Sequence, residues 1–322
     1  MQAIVHEQYG PPEVLELKEV AKPNVGEGEV LVKVHAAALN AYDWHILRAD
    51  PFLARLEMGL LKPKKTRLGA DVAGHVEAVG KNVRQFKPGD EVFGEISASG
   101  GGFAEYVAVA ETALVHKPGN LSFEQAAAVP MAALTALQAL RDVGQVQAGQ
   151  KVLINGASGG VGTFAVQLAK VLGAEVTAVC SAGKAEMVRA LGATQIIDYA
   201  KEDFAAQGQQ YDVILGVSGY RTLEDYQRAL KPRGIYVMVG GSNAQIFQAL
   251  LYGGWKSRAG GQKFTAFTEK PNQKDLNYLK QLLETGQITP VLDRCYPLKE
   301  VPEAIRYLEQ GHAKGKVIIT MN

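Results

Sequence analysis

One stretch limits what this chain can become. Residues 151–182 read KVLINGASGGVGTFAVQLAKVLGAEVTAVCSA. Val152, Leu153 and Ile154 form a short apolar run between Gly149 and Gly156, the pattern of a strand buried on both faces. Gly156, Gly159, Gly160 and Gly162 follow at once. Beyond them Val161, Phe164, Ala165, Leu168, Ala169 and Leu172 recur at helical spacing, and Gly173 stops the helix. Residues 175–179 are a second strand-like run. Strand, glycine turn, helix and strand make a βαβ unit, which belongs in a parallel sheet covered by helices.

The glycines have a chemical reason. Free N–H groups at a helix N-terminus attract an anion, and side chains there would hold a pyrophosphate away from the backbone. Ala157, Gly159 and Gly162 occupy the three places of the G-x-G-x-x-G fingerprint, with Ala at the first. Gly156, Ser158, Gly160 and Val161 complete the turn, and residues 156–162 are expected to cradle a dinucleotide; a flexible glycine loop is the bland alternative. The end of the second strand chooses the cofactor. NAD enzymes carry Asp or Glu there for the ribose 2′-OH. This chain reads Cys180, Ser181, Ala182, Gly183, Lys184, with no acid before Glu186. A hydroxyl at Ser181 and a cation at Lys184 suit a 2′-phosphate, so NADPH (NADP+) is expected rather than NADH. A solvated surface lysine is the alternative for Lys184.

At 322 residues the chain is expected to hold two domains, since domains run about 100–200 residues. Hydrophobic residues are 47% of it and charged residues 21%, as in ordinary globular proteins. Lys plus Arg number 34 against 33 Asp plus Glu, which gives no reason to expect nucleic acid or an anionic membrane as partner. Two cysteines, Cys180 and Cys295, are too few for a disulfide framework or a cysteine zinc site and suit a reducing compartment. The N-terminal MQAIVHEQYG lacks the basic head and apolar run of a signal peptide, and no apolar run reaches the roughly 18 residues of a membrane span. A cytoplasmic protein is expected.

Residues 1 to about 120 read as β-rich: strand-like runs at 3–5, 15–20, 30–36 and 70–80 are separated by Gly and Pro turns, which suggests a small barrel. Ser122 with Gln125 three residues on has the form of a capping box, and an Ala-rich helix interrupted at Pro130 follows. From the glycine turn onward helices and strands alternate as in a doubly wound sheet. Residues 243–262 are amphipathic with paired glycines and fit either a mobile flap or a packed connecting helix. Residues 264–267 read as an edge strand, and the last thirty residues as strand, helix, strand, with Pro302 at the helix start and Gly311 at its end.

Several segments carry a resemblance: LGADVAGHVEAVG, FKPGDEVFG, AAAVPMAALTAL, INGASGGVG, IDY and EVPEAIRYLEQGHAKGKVII. Together, in order and over essentially the whole chain, they resemble the medium-chain dehydrogenase/reductase superfamily in its zinc-free quinone oxidoreductase branch. The resemblance implies an α/β chain: a Rossmann doubly wound parallel sheet inserted in a GroES-like β-barrel domain, with the active site in the cleft. Residues 1–122 and 268–322 would form the GroES-like catalytic domain, and 123–267 the Rossmann NADPH-binding domain. Many members pair as homodimers through Rossmann edge strands. Zinc enzymes of the superfamily hold their catalytic metal with Cys, His and Cys; those places fall on Asn40, Ala70 and Met131, whose amide, methyl and thioether do not make a zinc site. His6, His35, His45, His75, His116 and His312 show no paired ligand spacing. No metal is expected.

Without a metal the acceptor must take a hydride unaided, as quinones and α,β-unsaturated carbonyls do by delocalising charge onto oxygen. Asn40 is expected to orient the acceptor and hydrogen-bond its oxyanion, with a structural turn residue as the alternative. Asp43 reads as a supporting carboxylate. His45 falls where the zinc enzymes keep a proton-relay histidine, and Tyr42 is a second proton-donor candidate. Family positions put Thr135 against the nicotinamide, Tyr199 near the 2′-phosphate, and Gly240 and Gly241 at the strand facing the nicotinamide. Lys316 is placed toward the cofactor, with a salt-bridged surface lysine as the alternative. Three readings stay open: an NADPH-dependent reductase of quinones or enones, an enoyl-thioester or aldehyde reductase on the same scaffold, and a low-turnover NADPH-binding protein.

Overall fold

The computed structural model describes every residue except 51, 53, 54, 219, 220, 241–260 and 322; at residue 57 it describes the backbone alone. Two units divide the chain: Met1–Ala132 with Pro271–Gly286 and Pro290–Asn322, and Ala133–Lys270 with Gln287–Thr289.

The first unit begins with an antiparallel ribbon of β1 (Gln2–Val5) and β2 (Glu16–Glu19). The alternating valines 30, 32 and 34 become β3 (Glu29–Leu39), with the valines buried and Lys33 exposed between them. Helices α1 (Ala41–Arg48) and α2 (Arg55–Met58) follow. Then come β4 (Asp71–Val79), β5 (Glu91–Glu95), β6 (Tyr106–Ala110) and β7 (Leu114–His116). The capping box forms as the spacing predicts: Gln125 N–H donates to Ser122 Oγ at 3.2 Å and Ser122 N–H donates to Gln125 Oε1 at 3.0 Å. It opens α3 (Phe123–Ala127).

After α4 (Pro130–Gln138) the second unit runs through β8 (Lys151–Asn155), α5 (Gly160–Val171), β9 (Glu175–Cys180), α6 (Ala185–Ala190) and β10 (Gln195–Asp198). It continues with β11 (Tyr211–Gly216), α7 (Leu223–Ala229), β12 (Leu230–Met238) and β13 (Lys263–Ala266). Every pair in its sheet is parallel, in the order β10-β9-β8-β11-β12-β13. The order reverses between β8 and β11, which opens a crevice at the carboxyl end of β8, where the glycine turn begins. On α5 the predicted face is buried: Phe164, Ala165, Leu168 and Ala169. Burying Phe164 and Leu168 contributes roughly 1.5–3 kcal/mol each. The expected edge strand is β13. The segment read as a flap or helix, 243–262, lies outside the described residues apart from Gly261 and Gln262.

The chain returns to the first unit with α8 (Gln273–Glu284), β14 (Leu292–Pro297), α9 (Val301–Glu309) and β15 (Lys316–Thr320). The main sheet there runs β14-β15-β3-β4-β5-β7, with β6 also paired to β3. The antiparallel register of β15 on β3 sets Val317 opposite Leu39, so Lys316 arrives beside Asn40.

The unit boundaries differ from those read in the sequence. Helix α3 packs on β3, β4 and β5, so the first unit extends past 122 to Ala132. The return comes at Pro271 rather than 268, and Gln287–Thr289 belongs with the second unit. There the Gln167 amide accepts from Thr289 N at 2.8 Å and donates to Thr289 O at 2.9 Å. A shift from strand-like to helical composition marks where secondary structure changes, and burial decides which sheet receives the helix. Among the described residues no helix is long and apolar enough to cross a membrane.

Candidate active site

In the second unit the glycine turn is tied to the sheet. Gly156 N–H and Ala157 N–H both donate to Val179 O, at 3.2 and 3.1 Å. Those two amides therefore hold the turn against β9 and are not available to an anion. The first amides of α5, Gly160, Val161 and Gly162, have no intrahelical acceptor and form the positive end of the helix. Gly156 sits at φ +90°, where a side chain is strained. At Gly162 a Cβ would lie 2.1 Å from Gly156 O and within 2.8 Å of Ala157 backbone atoms, so helix and turn touch directly. At Gly159 nothing lies closer than 3.9 Å, which leaves open space over the turn. The turn leaves room over Gly159 beside the first amides of α5.

The parallel pairing of β9 and β10 sets Cys180 beside Asp198. Tyr199 N–H donates to Cys180 O at 3.4 Å, and Ser181 with Lys184 starts the next segment. Ser181, Lys184 and the largely exposed Tyr199 thus share one carboxyl edge of the sheet, as the sequence places them. Gly240 follows β12, and its N–H donates to Gly216 O at 3.2 Å. Gly241 lies outside the described residues. Thr135 is buried on α4.

The first unit holds a buried polar network. Lys316 Nζ donates to Asn40 Oδ1 at 2.5 Å and to Asp71 Oδ2 at 3.4 Å. Asn40 Nδ2 donates to Asp71 Oδ2 at 2.9 Å and to Ala38 O at 3.3 Å. Met131 N–H donates to Asp71 Oδ1 at 3.0 Å. Asp43 caps the start of α1, accepting from Asn40 N at 2.8 Å and Gly69 N at 3.0 Å. Lys316 is 2% exposed and Asp71 is fully buried, so neither charge is hydrated and each needs the other. The network fixes the amide: turning Asn40 over would set its oxygen against a carboxylate and its NH2 against an ammonium.

Two expectations change here. Both N–H groups of Asn40 are taken by Asp71 and Ala38, so Asn40 is not available as an oxyanion donor; it is a buckle between Lys316 and Asp71. Lys316 is no surface lysine, and two of its three N–H bonds face Asn40 and Asp71. The hydroxyl of half-buried Tyr42 makes no hydrogen bond to the described residues. Burial, Asp43 and Glu95 push its pKa up, so it stays a neutral donor. His45 Nδ1 lies 2.8 Å from Asp50 O, which fixes the neutral tautomer with Nε2 unprotonated. Its ring stacks on Trp44 at 3.6 Å.

Burial pushes Asp43 up to about 7, against the two N–H bonds it accepts. Burial also pushes Glu95 up to about 7, with Asp71 adding to the rise. Asp71 is raised by burial and held back by Lys316, while burial lowers Lys316 and Asp71 opposes that. Asp71 and Asp43 both act on the Lys316 ammonium, and Asp71 pairs with it. The sequence reading did not single out Asp71 or Glu95 for the site. The available signal was an acid in each of two apolar, glycine-containing strands, ADVAG and VFGE. A further pairing escaped the spacing of histidines: His35 Nε2 and His75 Nδ1 stand 2.9 Å apart across β3 and β4. Among the described residues no three His, Cys, Asp or Glu side chains group to hold a metal.

The alcohol dehydrogenase GroES-like domain model matches residues 26–119, and a model described as zinc-binding dehydrogenase matches residues 191–319. The chain is 38% identical to the 2-methylene-furan-3-one reductase of Solanum lycopersicum, over 99% of this chain and 79% of that protein. The chain belongs to the medium-chain dehydrogenase/reductase superfamily, in its quinone oxidoreductase branch. Another member, the NADPH-dependent alkenal/one oxidoreductase of Arabidopsis thaliana, is 36% identical over the same shares. The quinone oxidoreductase structure from Coxiella burnetii superposes with a TM-score of 0.87 at 32% identity, covering 100% of this chain and 99% of that one. As a member of this superfamily the protein is an oxidoreductase with a nicotinamide cofactor, and the bare cradle over Gly159 and the open amides of α5 fit the cofactor's pyrophosphate.

Proposed function

We propose that this reductase uses NADPH, needs no zinc, and reduces quinones or α,β-unsaturated carbonyls. The observation that carries the reading is the buried Lys316 ammonium, bonded to Asn40 and Asp71. Asn40 and Met131 fall where the zinc members place metal ligands. Here the Asn40 oxygen is held by a cation, and the Met131 N–H points to that cation's carboxylate. A divalent ion brought to the same groups would meet an ammonium in a site of low dielectric, and like charges there repel strongly.

NADPH, when bound, supplies the hydride. The protein orients the acceptor, stabilises the oxygen that gains charge, and provides a proton. Tyr42 is the hydrogen-bond donor to that oxygen, kept neutral by burial and its carboxyl neighbours. Glu95, titrating near neutrality, holds the proton reserve behind it. His45, its ring oriented by the Asp50 carbonyl, is the second candidate for proton delivery. Tyr42→Phe is expected to lower kcat about 10- to 100-fold with an enone and to leave NADPH affinity unchanged. Stopped-flow oxidation of NADPH checks this, and unchanged turnover removes Tyr42 from the role.

Lys184→Ala is expected to raise the KM for NADPH about tenfold, the scale of one charge-assisted bond, and to leave that for NADH unchanged. Equal effects on both cofactors refute NADPH selection. The whole reading is tested by NADPH oxidation against a panel of quinones, enones, aldehydes and enoyl thioesters, with and without chelator. Turnover with a quinone or enone that survives chelation supports it. NADPH binding with no acceptor consumed assigns a binding protein, and activity that tracks stoichiometric zinc overturns it. We assign the enzyme to the cytoplasm, from its two unbridged cysteines, and to a homodimer joined through edge strand β13.

A further inference from the structure

We propose that the loop carrying Leu60 and Leu61 docks this enzyme on an anionic lipid bilayer. Seven large apolar side chains are exposed among the described residues, and four of them fall within ten positions: Phe52 at 65%, Leu56 at 72%, Leu60 at 58% and Leu61 at 90%. Scattered exposed leucines need no explanation, but a cluster of this kind marks a contact surface.

The loop is built rather than loose. Gly59 N–H donates to Arg55 O at 2.9 Å, and Lys64 N–H donates to Met58 O at 2.8 Å, which closes a loop with Leu60 and Leu61 at its tip. Tyr9 Oη donates to Gly59 O at 2.9 Å and ties the loop to the sequence just after β1. The Arg55 guanidinium lies over the Tyr9 ring at 4.8 Å and the Phe52 ring at 5.0 Å. Lys65 Nζ donates to Ser97 O at 3.1 Å and to Ala98 O. These bonds hold Leu60 and Leu61 side by side in water.

Charge selects what receives them. Residues 52–67 contain Arg55, Lys62, Lys64, Lys65 and Arg67 against the single acid Glu57, a net of +4 in a chain whose total is +1; the remaining residues therefore sum to −3. The near-neutral total averages this run away. Exposed Leu60 and Leu61 followed by Lys62, in a run of net positive charge, match a bilayer interface, where the leucines enter the acyl boundary and Lys62 meets a lipid phosphate. A second copy of this chain offers a net negative remainder but no acyl layer. The proposal concerns where the enzyme sits and stands whatever its acceptor is.

Vesicles of phosphatidylcholine with phosphatidylglycerol, and of phosphatidylcholine alone, are pelleted with the full chain at low and high salt. The full chain is expected to pellet with the anionic vesicles at low salt and about tenfold less with the neutral ones. Leu60→Ser combined with Leu61→Ser is expected to lower the bound fraction about tenfold, with NADPH binding and sedimentation coefficient unchanged. Lys62→Gln should weaken binding while keeping the leucines in place, which separates charge from apolar insertion. The proposal is overturned if the parent stays in solution with anionic vesicles, or if the leucine variant binds as the parent does. A leucine variant that turns a dimer into a monomer also overturns it and assigns the loop to a second copy.

Discussion

Lys316→Met is expected to remove about 3–5 kcal/mol of stability, because it leaves the fully buried Asp71 without its cation. The loss should depend on pH. In the variant Asp71 folds best protonated, so its folded pKa stands far above the unfolded value near 3.9. A raised carboxyl contributes its full stability below the unfolded pKa and loses it as pH rises toward the folded one. The variant should therefore be closest to the parent at about pH 5 and furthest from it at about pH 8. The double change Lys316→Met with Asp71→Asn removes both charges and should recover most of the loss, since an uncharged pair carries no unpaired ion. Urea unfolding of the three proteins at both pH values checks this. Equal losses at both, or a double variant no better than the single one, would show that Lys316 and Asp71 do not sustain each other.

Gly162→Ala is expected to cost about 1–3 kcal/mol and to reduce NADPH affinity at least about tenfold. The new Cβ would meet Gly156 O at 2.1 Å and Ala157 backbone atoms at 2.7 and 2.8 Å, none of which can rotate away. Helix α5 must withdraw from the turn, and its open amides move with it. Gly159→Ala is the contrast. Nothing in the fold lies within 3.8 Å of its added Cβ, so Tm should hold while NADPH affinity falls, because that methyl occupies the space over the turn. Melting without cofactor and titration with NADPH distinguish the two. If Gly159→Ala binds NADPH as the parent does, the pyrophosphate does not lie over this turn.

The glycine turn between β8 and α5 was legible because it is local. Gly156 to Gly162 lie within seven residues, and each reports a backbone constraint that acts over one turn of chain. That Ser181, Lys184 and Tyr199 follow neighbouring strands was legible for a related reason: adjacent parallel strands end at the same edge. The roles of the amides were not. Gly156 and Ala157 direct their N–H groups to Val179, a strand away, and only the closed sheet shows that. The capping box at Ser122 was read correctly from four residues, but the unit that buries α3 was not, because a cap carries no information about which sheet lies beneath the helix.

The sequence by itself determined the βαβ repeat, the glycine cradle, the strand periodicities of the first unit and the resemblance that the comparisons bear out. These follow from periods of two and 3.6 and from single-residue backbone limits, which neighbours in the chain express. Tertiary structure alone decided the chemistry around Asn40. Lys316 lies 276 residues further along, and only the antiparallel register of β15 on β3 brings the two to 2.5 Å. Whether a lysine is a surface charge or the buried partner of a carboxylate depends on what excludes water from it, and that is a property of the folded sheet rather than of the letters GKVII.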